Sequence, residues 1–120
     1  LPYHFTLKNR DIFAFAGLWS QWKNNDGTEI YRSFTIMTTK ANQVVGKVHD
    51  PKFRMPVILN KQDENLWLDK ALSPAELLTL CIPYPDDQMD AYRVSTAVNA
   101  TVVKKVVNNV PELMLPLNSQ

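Results

Sequence analysis

The sequence predicts an α+β fold, a mixed and largely antiparallel sheet with short helices set into its second half. Three observations predict it. Strand-like segments dominate the first half of the chain. A turn signal, Asn24-Asn25-Asp26-Gly27, joins two of them, because Asp-Gly readily supplies the positive φ of a tight turn. Helix-start signals and proline stops come only afterwards, without the regular strand–helix alternation of a parallel sheet. A chain of 120 residues suits one domain or part of one, and its 45% apolar content is ordinary for a chain with a core.

The elements follow in order. Tyr3 to Leu7 alternates apolar and polar residues, as a strand does, and Lys8-Asn9-Arg10-Asp11 is a polar turn. Ile12 to Trp22 has the length of one long strand or two short ones, and Gly17 within it predicts a bulge or a close backbone approach. Trp19 and Trp22, three residues apart on a strand, face opposite sides, which places one of them in the core. Ile30 to Thr39 is the hairpin partner. Lys40 to Val48 predicts a short helix starting near Thr39 or Asn42, and Met55 to Leu59 a short buried strand. Asn60 is placed as the cap of a helix running to about Asp69, with Trp67 in the core. Ser73-Pro74-Ala75-Glu76 is a capping box with proline at the first helical position, opening a helix to about Cys81 that Pro83-Tyr84-Pro85 stops. Tyr92 to Asn99 reads as another strand. Val102 to Val107 is open between strand and helix, and the tail from Pro111 reads as extended.

Composition removes several function classes. A net charge of +1 gives no support for strong nonspecific nucleic-acid binding, so any basic groove must come from local arrangement or from sequence outside these residues; Lys104-Lys105, Arg54, Lys52 and Lys47 are the noteworthy cations. One cysteine, Cys81, excludes an internal disulfide and fits a reducing compartment, with a cytosolic or nuclear location as the expectation. Cys81 follows Leu77-Leu78-Thr79-Leu80 and reads as a small core hydrophobe. No run approaches the ~20 apolar residues that span a membrane. No Gly-rich phosphate loop, serine elbow or zinc-ligand spacing occurs, so no metal or cofactor is expected.

The segment Val48-His49-Asp50-Pro51-Lys52-Phe53-Arg54-Met55-Pro56-Val57-Ile58-Leu59 carries the most chemistry. His49 is one of two histidines, the other being His4. An imidazole with an ordinary pKa near ~6.5 can move protons at neutral pH, and a guanidinium grips phosphate with forked donors. Taken alone, a single histidine at a strand end more often caps or packs there than reacts, and Arg54 also fits a solvated surface.

This segment, with Phe13-Ala14-Phe15-Ala16-Gly17-Leu18-Trp19, Ser33-Phe34-Thr35-Ile36-Met37-Thr38-Thr39 and Tyr92-Arg93-Val94-Ser95 through Val98-Asn99, resembles the SRAP (SOS response-associated peptidase) family. The four motifs keep the family's order and cover the chain from about Pro2 to Leu117. The resemblance implies a barrel-like core, and a protein that senses and processes abasic sites in single-stranded DNA. It does so through a covalent DNA–protein crosslink made by an N-terminal cysteine, with thiol autopeptidase activity. It places His49 in acid–base work on the opened sugar, a DNA-contacting hydroxyl at Thr38, and a phosphate-binding arginine at Arg54. In this sequence Pro51-Lys52-Phe53 lengthens the loop before Arg54, and Lys52 is the substitute if that loop carries Arg54 away. The family's cysteine, an upstream asparagine and a Gly-Phe-Tyr-Glu-Trp-like motif have no counterpart after Leu1. Residues 1–120 are therefore expected to be the C-terminal part of one SRAP-like domain, incomplete at its N-terminal side. The expected partners are abasic single-stranded DNA and the N-terminal segment of the same protein. The expected locations are the cytoplasm (at the nucleoid in a bacterium) or the nucleus in a eukaryote. Strands of an incomplete sheet should leave apolar faces exposed. A noncatalytic DNA- or protein-binding domain on the same scaffold is the alternative, and a generic hydrolase lacks any nucleophile–base pair.

Overall fold

In the computed structural model, residues 1–48, 53–99 and 110–117 are described. They form six strands, β1 (Tyr3–Leu7), β2 (Gly17–Lys23), β3 (Ile30–Ile36), β4 (Thr38–Lys40), β5 (Arg54–Pro56) and β6 (Met89–Arg93). Three short helices accompany them, α1 (Gln43–Gly46), α2 (Asp63–Trp67) and α3 (Pro74–Leu78). The α+β class and the antiparallel pairing are as the sequence predicts. Among the described residues the strands make three two-stranded ribbons, β1–β6, β2–β3 and β4–β5, and no closed barrel forms. The chain divides into two units, residues 12–86 and residues 1–11 with the chain from 87 onward.

In the larger unit, local signals set the hairpin and the caps. The β2–β3 turn uses Gly27 at φ 74°, where a side chain would be strained. Asn24 and Asp26 hold it by accepting the Glu29 and Thr28 backbone N–H groups at 3.0 and 3.1 Å. Gly17 is a close approach, since a Cβ there would lie 3.0 Å from the Thr35 carbonyl of the paired strand. Ser73 and Glu76 complete the capping box of α3, which ends at Leu78 rather than at Cys81. Helix α2 begins at Asp63, later than Asn60 suggests. Gln62 precedes it without a side-chain cap, and the Asn60 amide instead donates to the Asp63 carboxylate at 3.3 Å.

The core of this unit gathers where three segments meet. Ala16 N–H donates to Val57 O, Val57 N–H to Met37 O, and Met37 N–H to Ala16 O, each at 2.9 Å, so the three bonds close a ring. Ala16 and Val57 are fully buried, and Leu59, Met37, Trp67, Leu80 and Cys81 pack around them. Burying side chains of this size contributes about 1.5–3 kcal/mol each. Trp67 is half-buried there, and its indole N–H donates to the Gly17 carbonyl at 3.0 Å. Met37 falls inside this ring, which splits the predicted 30–39 strand into β3 and β4.

The hairpin itself stands out of this core. Every residue of β2 and β3 is exposed. Trp19 pairs with Phe34 at 74% and 81% exposure, and on the other face Trp22 pairs with Tyr31. The two tryptophans face opposite sides as expected, but neither enters the core: Trp19 is 74% and Trp22 57% exposed. The exposed apolar faces are those that the sequence leads one to expect.

In the smaller unit, β1 pairs with β6 over Tyr3↔Arg93 to Leu7↔Met89. Leu7, Met89 and Val94 are buried, and His4 stacks on its cross-strand partner Tyr92 with centroids 5.1 Å apart. Strand β6 runs earlier than the predicted Tyr92–Asn99. Residues Thr96–Asn99 form a 3-10 turn, and Pro111–Met114 form another where the sequence suggests an extended tail. Proline at the first position favours that turn. Residues 102–107, with Lys104 and Lys105, lie outside the described residues.

Candidate functional site

Two of the three predicted site residues, Thr38 and Arg54, fall on the β4–β5 ribbon. Its register pairs Thr38 with Pro56, Thr39 with Met55 and Lys40 with Arg54. Directly paired residues share a face, and the faces alternate along a strand. Met55 is 1% exposed and fixes the inward face. Thr38, Lys40 and Arg54 therefore lie together on the outward face, and all three are exposed. Thr38 and Arg54 are diagonal neighbours, a spacing of roughly 7–8 Å between backbones that a long side chain spans. The structure thus brings together Thr38 and Arg54, which stand far apart in the sequence. His49 and Lys52 lie outside the described residues.

Lys40 is the residue that sequence reasoning missed. It sits in β4 rather than at the head of a helix, directly opposite Arg54. Two like charges facing each other across a ribbon repel, by a few tenths of a kcal/mol to about 1 kcal/mol. Among the described residues neither has a carboxylate partner. An anion placed between them relieves the repulsion. No local pattern marks Lys40, because only the register with a strand fourteen positions along the chain pairs it with Arg54.

The ribbon continues into α1. Ala41 N–H donates to Phe53 O at 2.8 Å, extending the ladder by one step. Asn42 then caps α1, its Oδ1 accepting the Val45 N–H at 2.9 Å. The Asn42 amide donates to the Tyr84 carbonyl at 2.7 Å, and the Asp86 carboxylate accepts the Val44 N–H at 3.1 Å. A four-residue helix cannot sustain itself on its own hydrogen bonds, so these contacts hold it. Between α1 and Phe53 lies an open depression of about 340 Å³, lined by Ala41, Asn42, Gln43, Gly46, Lys47 and Phe53.

Burial pushes the Cys81 thiol above the usual range, which disfavours the reactive thiolate. Among the described residues no cluster of His, Cys, Asp and Glu could hold a metal ion, and no helix is long and apolar enough to cross a membrane.

Fold and surface chemistry together define an α+β chain that exposes two cations, Lys40 and Arg54, side by side on one ribbon. Residues 1–101 match the SOS response associated peptidase (SRAP) family, and the chain belongs to it. It is 42% identical over 115 residues to the abasic site processing protein YoqW of Bacillus subtilis (strain 168), covering 95% of this chain and 47% of that protein. It is 31% identical over 104 residues to the abasic site processing protein HMCES of Xenopus tropicalis, covering 86% of this chain and 28% of that one. A crystal structure of a Bacteroides thetaiotaomicron protein superposes with a TM-score of 0.84 at 32% identity, over 98% of this chain and 48% of that one. The chain spans less than half the length of each of these relatives.

Proposed function

We propose that this chain works in the processing of abasic sites in single-stranded DNA, as part of a protein that forms a covalent crosslink to the lesion. The observation that carries the reading is the outward face of β4–β5, where Thr38, Lys40 and Arg54 meet in a chain of this family. Arg54 and Lys40 hold a backbone phosphate near the lesion, and the Thr38 hydroxyl hydrogen-bonds the sugar–phosphate beside it. The crosslink itself comes from an N-terminal cysteine of the full-length protein. Its amine and thiol add to the aldehyde carbon of the opened sugar, closing a ring and releasing the aldehyde oxygen as water. That loss needs a proton delivered to the departing oxygen, and His49 supplies it. The same thiol serves the autopeptidase step. Cys81 is not the nucleophile.

The test is a denaturing gel after incubation with an abasic single-stranded oligonucleotide. Full-length protein yields a shifted band, and residues 1–120 alone yield none. A denaturation-resistant adduct on residues 1–120 would overturn the dependence on the N-terminal cysteine. In the full-length protein His49→Ala slows adduct formation by 10²-fold or more, the usual order for a lost acid–base group. An unchanged rate would remove His49 from the acid–base role, and a full-length protein that binds the abasic strand without forming any adduct would favour a noncatalytic binding role for this scaffold.

A further inference from the structure

Phe53 departs from the ribbon that it adjoins. In a regular strand it would alternate with Arg54 and share the inward face of Met55. Met55 is 1% exposed, whereas Phe53 is 61% exposed. The cause is its backbone, at φ 45°, the left-handed region that a bulky aromatic residue rarely adopts. The carbonyl of Phe53 is held by the Ala41 N–H at 2.8 Å, so this conformation is anchored at its C-terminal side. The ring forgoes burial and becomes a wall of the open depression beside α1. Lys47 lines the same depression, and the Lys40–Arg54 pair follows directly in the ribbon. The exposed ring thus shares its depression with Lys47, and Lys40 and Arg54 follow it in the adjoining ribbon.

We infer that Phe53, Lys40 and Arg54 form a nucleotide grip, with the Phe53 ring stacking on an unpaired base and the two cations holding the adjoining phosphate. The inference rests on the reading of the protein as a single-strand binder and adds how the strand next to the lesion is kept in place. The chemistry is that of single-strand recognition, in which aromatic faces take bases of any sequence and cations track the backbone. A depression of about 340 Å³ falls at the lower end of the ~300–1,000 Å³ of small-ligand sites, suited to one base rather than several. An acidic peptide would satisfy the cations but leave the aromatic wall unused. A duplex would hide its base faces from the ring. Phe53 is a binding and positioning residue in this account, and the bond-making atoms lie elsewhere.

The experiment measures binding of fluorescently labelled single-stranded oligonucleotides by the full-length protein. One probe carries a single abasic site next to 2-aminopurine, whose emission is quenched when it stacks. Phe53→Ala should weaken binding by about 5- to 150-fold, the usual worth of one stacked base, and should restore 2-aminopurine emission in the bound complex. Phe53→Trp should recover affinity and quenching, which separates stacking from a folding defect. Lys40→Ala should lower the slope of log affinity against log salt by about 0.7, one phosphate contact on a single strand. Binding to the fully paired duplex should not respond to Phe53→Ala. If the wild type binds and quenches but Phe53→Ala does both equally well, the grip is wrong while the abasic-site reading stands. If the wild type does not bind the abasic strand at all, that reading falls, and the grip with it.

Discussion

Replacing Asn42 by alanine tests whether one buried amide holds α1 against the Tyr84–Asp86 segment. Two losses follow from the geometry. Removing Oδ1 uncaps α1 at the Val45 N–H, and substitutions of this kind cost about 0.5–2 kcal/mol. Removing Nδ2 strands the carbonyl of Tyr84, a residue only 3% exposed, and an unsatisfied buried acceptor costs about 1–3 kcal/mol. Together they predict a destabilisation of about 2–4 kcal/mol for Asn42→Ala. The assay is urea unfolding, with the midpoint falling and the m-value unchanged. Two companions apportion the loss. Asn42→Ser keeps a capping oxygen and should recover the helix share alone. Asn42→Asp keeps the cap acceptor but sets a carboxylate against the Tyr84 carbonyl, where the amide now donates at 2.7 Å, so at neutral pH it should be no better than alanine. Either an Asn42→Ala protein within about 0.5 kcal/mol of wild type, the range of an inconsequential surface change, or an Asn42→Asp protein of full stability would refute the reasoning.

Two further predictions concern local structure. The Glu76 carboxyl is held below the usual carboxylate range by the Ser73 backbone N–H, then by the Ser73 hydroxyl. A lowered folded-state pKa means that its contribution is fully present above that range and is lost as pH falls through and below it. Ser73→Ala, costing about 1 kcal/mol at neutral pH, should therefore cost progressively less in acid, as read from thermal midpoints on an acid series. Gly17→Ala should lose about 1–3 kcal/mol by overpacking, because the atom it meets at 3.0 Å is the backbone carbonyl of Thr35 and cannot swing aside; equilibrium unfolding with a hairpin-proximal fluorescence probe measures it.

What was legible in the sequence was what neighbouring residues decide among themselves. The capping box at Ser73–Glu76, the turn at Gly27 and the strand at Tyr3–Leu7 depend on local spacing and are present, whereas the strand expected over Met55–Leu59 runs as β5 over Arg54–Pro56, with burial continuing through Val57, Ile58 and Leu59. Misses arose where a distant segment decides. Met37 looks like mid-strand until Ala16 and Val57 claim its backbone. Asn42 and Asn60 look equally good as caps, but Asn42 finds Tyr84 and Asn60 turns to Asp63 instead. Alternation assigns Trp19 and Trp22 to opposite faces, and alternation says nothing about what covers either face. At the candidate site, Thr38 and Arg54 were legible from motifs, whereas Lys40 needed the register and Phe53 needed its backbone dihedral.

The ring of bonds through Ala16, Met37 and Val57 has a kinetic consequence. Each amide is guarded by a different segment of chain, yet no segment can peel away without breaking two of the three bonds. Their amide protons should consequently exchange with deuterated solvent at one common rate, in a single opening of the larger unit. The β2–β3 strands beyond Gly17, paired with each other and exposed throughout, should exchange through a separate and less costly fluctuation. The outward face of β4–β5 adjoins this ring at Met37 and Val57, so its cations should keep their spacing while the hairpin breathes.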